Sequence, residues 1–252
     1  MPFVGLSRAV CGVFFALLLT LVAYSGSAAP SNSVSDFTTQ TGAFLKKHVA
    51  ANGSVNYAAI QKAPTELKAL VKQIESFDAK AATAAERKAF YLNAYNVLVI
   101  SSVVERYPTP SVMKLPGFFD TKRHKVAGES MTLNGLEANK LRKPFGDARI
   151  HFALVCAAKG CPRLVAEPYR ADGLDEQLDA QTRRVLRDPQ FLRRDDAAGK
   201  VQLSEIFKWY DGDFKAGGKT VLAYINQYLD KPIPASYKID YYTYDWGLND
   251  QR

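Results

Sequence analysis

The chain has 252 residues, of which 47% are hydrophobic and 23% are charged. This composition supplies a sizeable core and argues against global disorder. The formal net charge of +8 suits anionic surfaces or polymers, but no nucleic-acid-binding motif accompanies it, so nucleic acid is not an expected partner.

The first 28 residues have the pattern of a secretory signal peptide. One positive charge, Arg8, precedes an apolar run over residues 9–23, and small residues then lead to a cleavage site near Ala28 or Ala29. The run is shorter than the roughly 20 residues that span a bilayer. We therefore predict a periplasmic or secreted protein with no stable membrane span after signal cleavage. An uncleaved N-terminal anchor is the alternative.

Helices are predicted through the first half of the mature chain. Residues 36–50 and 65–77 carry apolar side chains at helical spacing, which indicates two amphipathic helices. A third helix, over residues 86–107, is apolar almost all the way round and is therefore expected to be buried on every side. Pro108 and Pro110 end it. This third helix is predicted to lie at the centre of the fold.

Short strands are predicted in the second half. Residues 124–133 resemble a β-hairpin that turns at residues 128 and 129. The apolar segment 149–157 is the clearest strand, and the tyrosine-rich segment 237–246 is a terminal one. The pattern predicts an α+β fold: one helix-rich domain, residues 29–252, around the buried helix with a small antiparallel sheet.

Two cysteines remain after signal cleavage, Cys156 and Cys161. An even number of cysteines in an exported protein favours a disulfide bond, and a turn at Gly160 would bring the two Cα atoms within bonding range. Two alternatives stay open. Cys161 is a candidate nucleophile, or both cysteines bind zinc together with His151 and His124.

The nucleophile hypothesis requires a base and an orienting acid. A cysteine reacts as the thiolate, and His151 is the nearest histidine that could lower the pKa of Cys161. Glu137 and Asp245 are candidates for the carboxylate that orients the imidazole ring. Asn96 or backbone amides would then stabilise the oxyanion.

Asn93 and Asn96 lie three residues apart on the predicted central helix and therefore point to about the same side. Buried amides require hydrogen-bond partners. They either tie neighbouring loops to the core or line a polar floor that faces His151. We predict Asn93, Tyr95 and Cys156 as binding residues, and no bound cofactor.

Five sequence blocks occur in this order along the chain: "FYLNAYNVLVI", "GLEANKLR", "IHFALVCAAKGCPRL", "LSEIFKWYDGDF" and "YDWGLN". Together they resemble the family named domain of unknown function 547. The resemblance extends from about Tyr57 to the C-terminus, and its bacterial members likewise have an export signal. Many relatives have a histidine directly after the motif glutamate, where this chain has Ala138, and intracellular relatives with similar cysteines weaken the disulfide interpretation. The motif positions map onto Tyr95, Asn96, Glu137, His151, Cys156, Cys161 and Pro162.

The family resemblance implies no activity, so the functional prediction depends on the residues. The leading hypothesis is a thiol-dependent hydrolase or transferase that acts on an amide or ester through Cys161 and His151. The first alternative is a non-enzymatic envelope binding or structural module with a Cys156–Cys161 disulfide, and the second is a zinc-binding protein. The expected partner is a small molecule or an envelope polymer.

Overall fold

The computed structural model describes residues 1–3, 5 and 34–251. Residues 32–252 form one compact unit. Nearly all of the predicted signal peptide lies outside the described residues. Within the described ranges, no helix combines the length and the apolar character needed to cross a bilayer.

Eleven α-helices, one π-helix, two short 3-10 helices (Val112–Lys114 and Ala216–Gly218) and five strands make up the regular structure of the described residues. The α-helices are α1 (Val34–His48), α2 (Tyr57–Lys62), α3 (Thr65–Ser76), α4 (Ala84–Val104), α5 (Leu133–Leu136), α6 (Lys143–Phe145), α7 (Ile150–Ala153), α8 (Leu174–Leu186), α9 (Ile206–Trp209), α10 (Asp211–Phe214) and α11 (Val221–Asn226). The strands are β1 (His124–Val126), β2 (Glu129–Met131), β3 (Leu192–Asp195), β4 (Lys200–Ser204) and β5 (Lys238–Tyr242). Helix accounts for about 47% and strand for about 11%, which confirms the helix-rich α+β class.

Helix α4 lies at the centre, as its apolar circumference predicts. Thr83 and Glu86 form a capping box at its N-terminus, in which each side chain bonds to the other residue's backbone N–H. Helices α1, α2, α3 and α5 pack against it. Almost every residue from Lys88 onward is buried, and the helix ends at Val104, shortly before Pro108.

The strands form two small sheets. Strands β1 and β2 pair in an antiparallel hairpin, in which Ala127 and Gly128 form the turn with φ of +50° and +81°. Two positive φ values are typical of the turn that suits the twist of a two-residue hairpin. In the second sheet β3 pairs antiparallel with β4, while β4 pairs in parallel with β5. The terminal strand prediction is confirmed, and the second sheet is mixed.

The strand predicted over residues 149–157 is wrong, because the structure has the short helix α7 followed by an extended loop. A short apolar run does not distinguish a buried strand from a buried helix by its periodicity. The backbone here bonds to side chains instead of to a neighbouring strand. Gln181, on α8, donates to Phe152 O at 2.9 Å, and Asn96, on α4, bonds to the backbone of Ala153 and Val155.

Candidate functional site

A disulfide bond joins Cys156 to Cys161, whose Cα atoms lie 6.2 Å apart. This distance falls in the usual range of about 4.4–6.8 Å. The chain reverses between the two residues, and Ala157 has a φ of +63°, a left-handed conformation that is costly for a residue other than glycine. The disulfide prediction is confirmed, and neither sulfur is a free thiolate in this state.

The C-terminal tail, residues 244–251, holds the loop that carries the disulfide. Three backbone hydrogen bonds join the two segments: Lys159 N to Gly247 O at 2.7 Å, Gly160 N to Asp245 O at 2.8 Å and Asn249 N to Ala157 O at 3.0 Å. The Asp245 carboxylate accepts from Gly247 N at 2.8 Å within the tail itself. The structure therefore places Asp245 in the support of the loop and does not bring it to His151.

His151 lies on α7 and is 4% exposed. Its Nε2 atom lies 2.7 Å from Oδ2 of Asp213, on α10. The imidazole ring stacks on the Tyr210 ring with a centroid separation of 3.7 Å. Asp213 also accepts hydrogen bonds from Arg142, at 2.7 Å from Nε and 3.1 Å from Nη2. The carboxylate of Asp213 thus joins the imidazole to a guanidinium.

The protonation of His151 follows from its burial. Desolvation lowers the pKa of His151 to about 4, although Asp213 acts in the opposite direction. The hydrogen bond from Arg142 keeps the pKa of Asp213 below its usual range. At neutral pH the ionised carboxylate can only accept, so Nε2 carries the proton and donates it. Nδ1 is then unprotonated, as in a general base that a carboxylate orients.

Glu137 begins the π-helix Glu137–Arg142. Such wide turns are rare, and they occur frequently at functional sites. Burial raises the pKa of Glu137, while a hydrogen bond from the Tyr210 hydroxyl and the charge of Arg142 act in the opposite direction. Tyr210 therefore contacts both Glu137, through its hydroxyl, and His151, through its ring.

Both cysteines, His151, Glu137 and Tyr210 line one cavity of about 190 Å³, which we call the aromatic pocket. Its lining is Tyr95, Phe119, Asn134, Glu137, His151, Leu154, Cys156, Cys161, Pro162, Ile206, Trp209, Tyr210, Tyr244 and Trp246. Four larger cavities, of about 700, 560, 490 and 380 Å³, are lined by neither His151 nor Glu137, and the one of about 560 Å³ shares Cys161 and Pro162 with the aromatic pocket. The aromatic pocket unites five predicted site residues: Tyr95, Glu137, His151, Cys156 and Cys161. Asn93, Asn96 and Asp245 do not line it.

Three aromatic side chains pack together beside the disulfide. The ring of Tyr244 lies 4.9 Å from that of Trp209 and 4.7 Å from that of Trp246, measured between centroids. Trp209 is 45% exposed. The Tyr244 hydroxyl lies 3.1 Å from Cys156 Sγ and 3.1 Å from Cys161 Sγ. Trp209, Tyr244 and Trp246, which we call the aromatic wall, therefore extend from solvent to both sulfurs.

The side chains of the two asparagines of α4 form hydrogen bonds with the backbone of neighbouring segments. Asn96 donates from Nδ2 to Ala153 O at 3.0 Å and accepts from Val155 N at 2.9 Å. Asn93 makes the same pair of bonds with Tyr169, at 2.8 Å to its O atom and 2.9 Å from its N atom. Both side chains tie a loop to the central helix, and Asn96 fixes the segment directly before Cys156.

The comparison with known protein families gives one result. Residues 79–186 match the family described as protein of unknown function, DUF547. The match supports the resemblance seen in the sequence blocks, and the DUF547 segment contains Glu137, His151 and both cysteines. Neither a curated protein nor a solved structure matched the chain.

Sequence reasoning missed several residues of the site, among them Trp209 and Trp246 of the pocket lining and four that contact the predicted residues or their partners. Arg142 lies inside the DUF547 segment, whereas Tyr210, Asp213 and Tyr244 follow it in the chain. Tyr210 and Asp213 belong to the block "LSEIFKWYDGDF", so its place among the ordered blocks was the available signal. The run of tyrosines near the C-terminus contained nothing that singled out Tyr244.

In this structure the two cysteines are not available as the zinc ligands that the zinc-binding alternative requires. Zinc binds cysteine as the thiolate, and both sulfurs are joined in the disulfide. Among residues 34–251, no group of three or more histidine, cysteine, aspartate or glutamate side chains is arranged to hold a metal ion.

Replacing Gly160 with Ala is expected to destabilise the chain by about 2 kcal/mol, as overpacking does. A Cβ atom there would lie 3.0 Å from both Asp245 N and Asp245 O, and 3.0 Å from Tyr244 Cδ1. Gly212→Ala is the matched control, because Gly212 is exposed on α10 and a Cβ atom at that position would meet nothing within 4 Å. Urea unfolding measures both, and equal stabilities would contradict the expected close contact.

Proposed function

We propose that the aromatic pocket binds one polyhydroxylated ring, such as a single sugar residue of an envelope polymer. The observation that carries this proposal is the aromatic wall of Trp209, Tyr244 and Trp246 beside the polar side chains of Glu137 and His151. It develops the binding-module alternative, which includes the Cys156–Cys161 disulfide.

The chemistry of the pocket supports a ring with one apolar face and polar edges. Aromatic side chains offer a flat apolar surface, and the Glu137 carboxyl group and the Asn134 amide supply hydrogen-bonding groups in the same cavity. Pockets for drug-sized ligands usually enclose about 300–1,000 Å³. A cavity of about 190 Å³ therefore suits a single ring.

Intrinsic fluorescence tests this proposal directly, because the chain contains two tryptophans and both line the pocket. We expect glucose or N-acetylglucosamine to change the emission of the oxidised chain in a saturable way. Glu137→Ala should weaken the binding about tenfold, the effect of losing a hydrogen bond to a charged or strongly polar group.

Tyr237→Phe provides the control, since the Tyr237 hydroxyl bonds to Asp196 on another surface. It should bind the sugar as the wild type does. Saturation by phenol without saturation by either sugar would contradict the ligand class. The absence of any saturable change would contradict ring binding in this pocket.

Export to the periplasm or the medium is part of the same proposal. The N-terminal sequence pattern supports it, and so does the disulfide, because disulfides persist mainly in oxidising compartments. N-terminal sequencing of protein from the periplasmic fraction should find a start near Ala29 or Pro30. Recovery of the full-length chain from the cytoplasm alone would contradict export.

A thiol-dependent hydrolase or transferase is the second candidate. His151, whose imidazole Asp213 orients, lines the same cavity as Cys161, which favours it. This activity requires the reduced chain, since Cys161 must be free to attack. With p-nitrophenyl acetate as the probe, turnover should appear on reduction, persist in Cys156→Ser and disappear in Cys161→Ser. Equal rates in the two variants would contradict it.

A further inference from the structure

We infer that the Cys156–Cys161 disulfide exchanges with external thiols, with Cys156 as the attacked sulfur and Cys161 as the leaving thiolate. This activity does not require ring binding, although Tyr244 and both sulfurs also line the aromatic pocket. The co-reactant is a thiol, either a small molecule or a cysteine of another protein.

The two sulfurs differ in their access to solvent. Cys161 is 5% exposed and belongs to the buried core. Cys156 is only partly buried, at the edge of that core. Both line the aromatic pocket, which opens to solvent beside Trp209. An incoming thiolate therefore reaches Cys156 more readily than Cys161.

The buried sulfur has two hydrogen-bond donors. The backbone N–H of Cys156 donates to Cys161 Sγ at 2.8 Å, and the Tyr244 hydroxyl donates to it at 3.1 Å. Burial raises the pKa of Tyr244, so its hydroxyl remains protonated and able to donate. Donors of this kind favour a negative charge on the accepting atom.

The exchange requires no oxidant or reductant other than the thiol itself. A thiolate RS⁻ attacks Cys156 Sγ, the bond between the two cysteines breaks, and its electron pair passes to Cys161 Sγ. The products are the mixed disulfide R–S–S–Cys156 and the Cys161 thiolate. A second thiolate then releases R–S–S–R and leaves Cys156 as the thiolate. A leaving thiol of lower pKa departs faster, so the two donors accelerate the first step.

The surrounding structure holds this arrangement in place. Asn96 bonds to the backbone directly before Cys156, and the C-terminal tail bonds to the loop between the cysteines. Tyr244 N donates to the Glu205 carboxylate at 3.0 Å, which fixes the tyrosine backbone. The donors are therefore in position before the sulfur–sulfur bond breaks.

The experiment treats the folded, oxidised chain with reduced glutathione, stops the reaction with N-ethylmaleimide and locates each modification by mass spectrometry. We expect glutathione on Cys156 and maleimide on Cys161. Tyr244→Phe should slow the first step about tenfold, because it removes one hydrogen bond to a developing charge. Tyr242→Phe is the matched control: it lies on β5, does not line the pocket and should react as the wild type does.

A measurement on the wild type keeps the test valid if Tyr244→Phe does not fold. The rate at which iodoacetamide alkylates Cys161 in the reduced chain, followed against pH, gives the thiol pKa. We expect a value below the ordinary cysteine value of about 8.5. Glutathione on Cys161, no reaction without denaturant, or an ordinary thiol pKa would each overturn the inference. The sugar titration uses the oxidised chain without thiols, so either proposal can fail alone.

Discussion

Replacing Asn96 with Ala is expected to lower the free energy of unfolding by about 4 kcal/mol, since two buried backbone groups would lose their partner at about 1–3 kcal/mol each. The two groups are Ala153 O and Val155 N, which the single amide joins to α4. Urea unfolding followed by circular dichroism measures the change. The variant should also alter tryptophan emission, because the released segment leads into Cys156 and the aromatic pocket.

Asn93→Ala separates these two effects. Asn93 makes an equivalent pair of bonds to Tyr169, which does not line the aromatic pocket. We expect a loss of stability of similar size without the change in emission. A loss below about 1 kcal/mol for Asn96→Ala would show that water replaces the lost bonds. The same emission change in both variants would show that the two hydrogen bonds of Asn96 do not act locally on the pocket.

Acidification from pH 7 to pH 4 is expected to destabilise the wild type by about 3 kcal/mol more than His151→Gln. The folded-state pKa of His151 is lowered from 6.5 to about 4 by burial. As the pH falls below 6.5, the unfolded chain therefore binds a proton that the folded chain does not. The stability present at neutral pH is lost progressively down to about pH 4. Urea unfolding at intermediate pH values measures the slope.

Other groups titrate in the same window, so the comparison with the variant matters. His124 also has a lowered pKa, mainly through burial, and it acts in the same direction. The raised pKa of Glu137 acts in the opposite direction, because the stability it contributes is present below pH 4.5 and lost as the pH rises. His124→Gln is the matched control and should leave the His151 contribution intact. Parallel pH profiles for His151→Gln and the wild type would contradict the burial argument.

The sequence predicts those features of the fold that depend on local patterns. The apolar circumference of α4 indicates its burial, and the Pro108 that follows indicates its end. The close spacing of Cys156 and Cys161 permits a disulfide without any knowledge of distant contacts. The hairpin is also local, although its turn lies one residue earlier than predicted, at Ala127 and Gly128.

The features that the sequence does not predict depend on distant partners. The last two carbonyl groups of helix α7 accept hydrogen bonds from Asn96 and Gln181, which lie on other helices. Asp213 lies 62 residues beyond His151, and the chain has several other carboxylates from which nothing local distinguishes it. Asp245 carries the same functional group in a neighbouring motif, but its carboxylate serves the C-terminal tail.

The position of Tyr244 in the chain has a consequence for the order of folding. The two cysteines are five residues apart, whereas Tyr244 follows Cys156 by 88 residues. During synthesis the earlier part of a chain emerges first, and contacts between distant residues form slowly. We therefore expect the sulfurs to meet an oxidant while they are still uncovered. The C-terminal tail then packs against a disulfide bond that has already formed, and the last step of folding places Tyr244 beside the two sulfurs.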